Sequence, residues 1–178
     1  KSSMIPLETY LATHLRYTVW ATRRTLRAVR QLSQEEYLRD LVTGHGSVRG
    51  TLEHMLGADR GWYALLAGEP AGVETPEGEY YAEFGHLETD HSVILARYEQ
   101  LASFLTDLEL AAYFANSRVY VPWLKTQIPK WQGVMNVVSH ATYHRGQIAA
   151  MIHQLGHSPL KTDLVYYYVE LEGKTSAS

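Results

Sequence analysis

The sequence contains no cysteine. That absence removes disulfide scaffolds, thiolate zinc sites and a cysteine nucleophile together. A soft or borderline metal would therefore have to be held by histidine and carboxylate. Positive charge is not in surplus either: 16 Lys and Arg stand against 19 Asp and Glu, a formal net charge of −3. A nucleic-acid footprint needs a basic surplus. The arginine-rich run Arg16, Arg23, Arg24, Arg27 and Arg30 accordingly reads as a solvated or ion-paired helix face. No apolar stretch approaches the about eighteen residues of a membrane span. The opening Lys1-Ser2-Ser3-Met4-Ile5-Pro6 lacks the apolar core of a secretory leader, and Lys1 to Ser3 read as a vector-derived remnant ahead of Met4. The expectation is a cytoplasmic soluble protein, without nucleic acid or membrane as partners.

What is present is ordinary globular sequence. Its 178 residues, 46% hydrophobic and 20% charged, suit one domain spanning 1–178. Apolar residues Leu11, Leu15, Val19, Leu26 and Val29 recur at helical spacing and predict a first helix over 7–32. Ser33-Gln34-Glu35-Glu36 reads as a capping box. Ser47 can cap a second helix that runs to Ala67 and stops at Gly68-Glu69-Pro70. Residues 68–85 read as a long surface loop, and a third helix is expected over 86–108. The aromatic and β-branched segment 113–123 predicts a small hairpin or extended crossover turning at Asn116-Ser117. Pro129 suits the first position of a fourth helix ending near Leu155, with Gly156 as its cap. Thr162 or Asp163 can cap a last short helix through Glu170. The fold class is therefore all-α: an antiparallel four-helix bundle with a short extended crossover or hairpin and a short C-terminal helix.

Nine histidines are the residues to place. On a wheel of about 100° per residue, His144 shares a face with Val137, Ala141, Ile148, Met151 and Leu155, and His140 lies about 40° to the other side. This spacing puts two imidazoles on one helical face, where they can chelate one ion. On the second helix His54 shares a face with Thr51, Ala58, Gly61 and Leu65. Two histidines from one helix and one from another supply three neutral nitrogens and leave a coordination position open, the stoichiometry of a catalytic centre. The same residues are also compatible with hydrogen-bonded core histidines. A zincin is excluded, because Ala141 stands where that motif needs its glutamate. A ferritin-like di-iron site is short of carboxylates: Glu83–His86 and Glu88–His91 have its spacing, but Val137 and Ala141 precede His140 and His144. His14, His45, His86, His91 and His153 are scattered, although His91 or His45 can approach from a helix end or loop. His157 is expected at the surface.

The segment Leu52-Glu53-His54-Met55-Leu56-Gly57-Ala58-Asp59-Arg60-Gly61-Trp62, followed by His140-Ala141-Thr142-Tyr143-His144-Arg145-Gly146-Gln147, resembles the DinB/YfiT-like superfamily of helical metalloproteins. Tyr17-Thr18-Val19-Trp20-Ala21 and Thr162-Asp163-Leu164-Val165-Tyr166-Tyr167 fit the same pattern, so the likeness covers nearly the whole chain. It implies a four-helix bundle, three histidines (His54, His140 and His144) around one divalent ion, and a homodimer. It also implies kinship with damage-inducible proteins unrelated to the translesion polymerase. Members with assigned chemistry are thiol-dependent S-transferases, glutathione transferase-like enzymes and maleylpyruvate isomerase. The chain departs from the pattern at Thr22, where members often carry Asn, and residues 68–85 match no substrate motif.

The mechanistic expectation follows from these residues. Neutral imidazoles leave the ion most of its positive charge, so that it can acidify a water or a thiol. Zinc or nickel suits the ligands best, with iron or manganese as alternatives. An external low-molecular-weight thiol, deprotonated at the metal, would attack an electrophile. The alternatives are a metal-dependent hydrolase and a non-catalytic metal-binding or stress-response module. Arg145, about 100° from His144, is a candidate anchor for an anionic group or else a salt-bridge partner. Tyr143, Gln147 and Trp62 are further candidates for substrate binding or packing.

Overall fold

The computed structural model describes residues 6–42, 44–70 and 78–173. Helices dominate: α1 (Leu7–Val29), α2 (Gln34–Leu38), α3 (Val48–Ala67), α4 (Phe84–Phe104), α5 (Leu108–Asn116), α6 (Lys130–Gln154) and α7 (Leu164–Leu171). One antiparallel hairpin, β1 (Arg118–Val121) and β2 (Thr126–Pro129), precedes α6, in the register Arg118↔Pro129 to Val121↔Thr126. None of the helices is long and apolar enough to cross a membrane among the described residues.

Local chemistry sets most boundaries. All five apolar residues singled out on α1 are buried. Ser33 and Glu36 form the reciprocal capping box of α2, and the Ser47 hydroxyl accepts from the Gly50 amide to start α3. Gly68 ends α3 in the left-handed conformation, φ 74°, where a side chain would be strained. Two boundaries differ from expectation. The third long helix stops at Phe104, because the Asp107 side chain accepts from the amides of Glu109 and Leu110 and starts α5 there. The hairpin then turns through a 3-10 segment at Pro122–Leu124 and Lys125 at φ 50°. Asn116-Ser117 instead closes α5, and Tyr113 lies within that helix. The cap of α7 falls on Asp163, without a side-chain hydrogen bond. Of the loop expected at 68–85, residues 71–77 lie outside the described residues, and Gly78–Ala82 form a 3-10 turn.

The four long helices pack as a bundle in which α1 and α3 each pair with α4 and α6. Cross-helix contacts fix their directions. Arg23–Glu99 and Arg30–Glu88 make α1 and α4 antiparallel. His54 beside His140, with Leu66 beside Gly133, makes α3 and α6 antiparallel. Arg60–Asp90 and Arg97–Glu69 show that α3 and α4 run the same way, so the end of α3 and the start of α4 lie at opposite ends of the bundle. The ion pairs also explain the arginine-rich face of α1, whose positive charge is partly met by glutamates of α4.

Candidate metal centre

Two helices and one loop bring four imidazoles together. His54 stands one and a half turns into α3, and His140 and His144 lie one turn apart on α6. The Nε2 atom of His140 is 3.1 Å from Nε2 of His54 and 3.1 Å from Nε2 of His144. Donors about 2.0–2.1 Å from a shared ion are separated by about 3.0–3.4 Å. Two of the three pairs thus stand at a spacing that donors around one cation would have, and the residues fit the metal that the family resemblance implies.

The ring of His144 is oriented from behind. Its Nδ1 lies 2.7 Å from Gln147 Oε1, an acceptor, so Nδ1 carries the proton. The lone pair of the neutral ring is then on Nε2, pointing at His140. Gln147 is held in turn by donating its amide to Tyr143 Oη at 3.2 Å. Protonation is disfavoured throughout the cluster. Burial, followed by the neighbouring His144, His54 and His45, lowers His140 to about 4. Partial shielding of the ring from water lowers His54, helped by His45 and His144. Burial also lowers His144, against the opposing bond to Gln147. Neutral rings are the ligating form.

The fourth imidazole is His45, in the loop before α3. Its ring stacks on His54 at 4.0 Å and 18°, and lies 5.3 Å from His144. Ligand nitrogens of His45, His54 and His144 all lie within 4.8 Å of one another. Of the two secondary histidines considered from sequence, His45 arrives and His91 does not. His91 is sealed in α4, with Nδ1 toward the Leu87 carbonyl, and burial depresses it to about 4. Wheel arithmetic cannot find His45, which lies on no helix; the available signal was its place beside the Ser47 cap of the helix that carries His54.

The other expected residues divide by exposure. His54 does not face a closed core as its wheel position suggests. It is exposed, whereas His144 is 4% exposed. Its neighbours are imidazoles rather than aliphatic side chains, and polar rings cost less to leave hydrated than to bury. The cluster thus runs from the bundle interior to solvent. Tyr143 is 64% exposed at its rim, edge-on to His144 at 4.9 Å. Arg145 is 2% exposed and points into the bundle. It donates from Nη2 to Thr142 Oγ1 at 2.9 Å and Tyr17 Oη at 3.2 Å. Asp59 is buried as well, and burial raises its carboxyl to about 7 against the pull of Arg145. Trp62 is buried against Gly133 and Trp123, toward the other end of α3. His157, expected at the surface, is half-buried and meets Glu36 at 3.0 Å.

Comparison with known proteins identifies the family. The sequence profile of the DinB family matches residues 7–174. The chain is 26% identical over 159 residues to Protein DinB of Bacillus subtilis (strain 168), a match covering 85% of this chain and 89% of that protein. With a bundle of this topology and a profile spanning all four long helices, the chain belongs to the DinB family.

Proposed function

We propose that this protein is a divalent-metal enzyme whose cation is held by His54, His140 and His144, and that it transfers an external low-molecular-weight thiol to an electrophilic small molecule. The observation that carries the reading is the meeting of three Nε2 atoms, two contacts of 3.1 Å sharing His140, with the His144 lone pair aimed by Gln147. Zinc or nickel suits imidazole donors, and iron or manganese would also be accommodated. Such an ion, when bound, lowers the pKa of a water or thiol that reaches it. The thiol has to come from outside, since the chain has no cysteine.

The chain's own residues supply the rest. The exposed side of His54 admits the reactants, and Tyr143 and Gln147 border the opening. In the transfer, the thiol gives its proton to solvent, its sulfur bonds to the electrophilic carbon, and the leaving group departs with the pair of the bond that breaks. Arg145 and Trp62, both buried, support the helices rather than the substrate.

Metal analysis of wild type, His54→Ala, His140→Ala and His144→Ala tests the centre. Stoichiometric occupancy is expected in wild type and loss in each variant; full retention in any one removes that residue. A panel of bacterial thiols with a generic electrophile tests the reaction. Hydrolysis of esters or amides without thiol-dependent turnover would replace the transferase by a hydrolase. Inertness in both assays with metal bound would leave a binding module.

A further inference from the structure

The loop carrying His45 is built against the centre. Leu41 donates its amide to the Gly46 carbonyl at 2.7 Å, and Ser47 donates its amide to the His45 carbonyl at 2.8 Å. Gly46 takes φ 73°, a conformation that side chains rarely adopt. The His45 carbonyl also lies so close to α3 that a Cβ on Gly50 would clash with it. Gly50 is thus a notch that lets the loop lie on the helix, one turn before His54. The ring of His45 is then positioned by the ligand imidazoles themselves, stacked on His54 and near His144.

We infer that His45 is a fourth imidazole donor, making the centre an all-histidine set of His45, His54, His140 and His144 for a borderline divalent cation, and that an entering ligand has to displace it. The inference rests on the three-histidine reading above and adds to it. Three donors come from helices whose backbones are fixed by bundle packing. The fourth comes from a loop, and its stacked ring can reach the ion by turning about its own side-chain torsions, because its nitrogen already lies within 4.8 Å of those of His54 and His144. Four nitrogen donors favour tetrahedral coordination, which selects zinc or cobalt over manganese and magnesium. A donor that can leave keeps the centre accessible, unlike a site with four donors on rigid elements.

Cobalt(II) titration of the purified full chain, followed by visible absorption, reads this directly. Wild type should show the intense bands of a four-coordinate ion. His45→Ala should bind cobalt on the order of 10- to 100-fold more weakly, with weaker bands that free imidazole restores. Gly50→Ala, which displaces the loop without removing a donor, should move in the same direction. His54→Ala should lose binding outright. Wild-type affinity and spectrum in His45→Ala, with binding lost in His54→Ala, would overturn the fourth donor and leave the three-histidine centre standing. Failure of wild type to bind cobalt or zinc would overturn both.

Discussion

The seam between α3 and α6 has two ends of opposite character. At one, Trp62 and Leu66 close on Gly133 so tightly that a methyl there would meet Leu66 Cδ2 at 3.0 Å and Trp62 Cζ3 at 3.2 Å. Lys130 reaches across to cap the Leu66 carbonyl at 2.7 Å. At the other end His54 of α3 meets His140 and His144 of α6, and His54 opens to solvent. The dry end holds the helices at a fixed spacing. The wet end uses that spacing to set the distance between nitrogens, which ligation requires to within a few tenths of an ångström. Packing and chemistry have been separated along one interface, and each end should be alterable without the other.

The most severe change at the wet end is His140→Ala, which removes the ring common to both 3.1 Å contacts. Metal occupancy, read by elemental analysis, should fall from one ion to background, while the metal-free protein keeps its helical circular dichroism. At the dry end Trp62→Ala should cost about 3–5 kcal/mol of unfolding free energy in denaturant titration, with metal stoichiometry unchanged in the folded fraction. Metal loss in that variant, or no loss of stability, would break the separation between the two ends.

How much of this was legible beforehand follows the same division. Periodicity placed the buried residues of α1 and the joint face of His140 and His144, because a helix converts spacing directly into direction. Caps at Ser33, Ser47 and Gly68 were legible because the residue types that satisfy helix ends are few. The turn of the hairpin was not: Asn116-Ser117 is a plausible turn dipeptide, but the helix started by Asp107 runs through to it. The parallel course of α3 and α4 is a long-range property that no local pattern encodes. Arg145 looked available on the wheel because angle does not say what lies above a face; Tyr17 and Thr142 lie there. His45 depends on a loop conformation set by Gly46 and Gly50, which spacing rules do not describe.

A smaller change at the wet end sharpens what holds the donors in place. Gln147→Leu leaves every imidazole present but removes the acceptor that keeps the proton on His144 Nδ1. Metal affinity in a competition assay should drop about 10- to 100-fold, with stoichiometry still one at saturation. An unchanged affinity would mean that the tautomer is set elsewhere.

The mildest probe is pH, since solvent screens a cluster that opens to the surface. His140 titrates near 4 in the folded chain, below its ordinary value of 6.5. Between those values the unfolded chain holds a proton that the folded chain does not, so stability rises with pH across the window and is lost as pH falls from 6.5 toward 4. Asp59, raised from 3.8 to about 7, acts in the opposite direction over much of the same range, while His91, His54 and His144, all lowered, act in the same direction as His140, so the wild-type curve alone mixes them. Subtracting the His140→Ala curve from that of wild type, both metal-free, cancels the groups that His140 does not touch and leaves its own contribution. The difference should slope upward from pH 4 to 6.5 and flatten above it. The Trp62→Ala curve should instead run parallel to wild type, displaced but with the same pH dependence, because nothing at the dry end changes its proton count in that window.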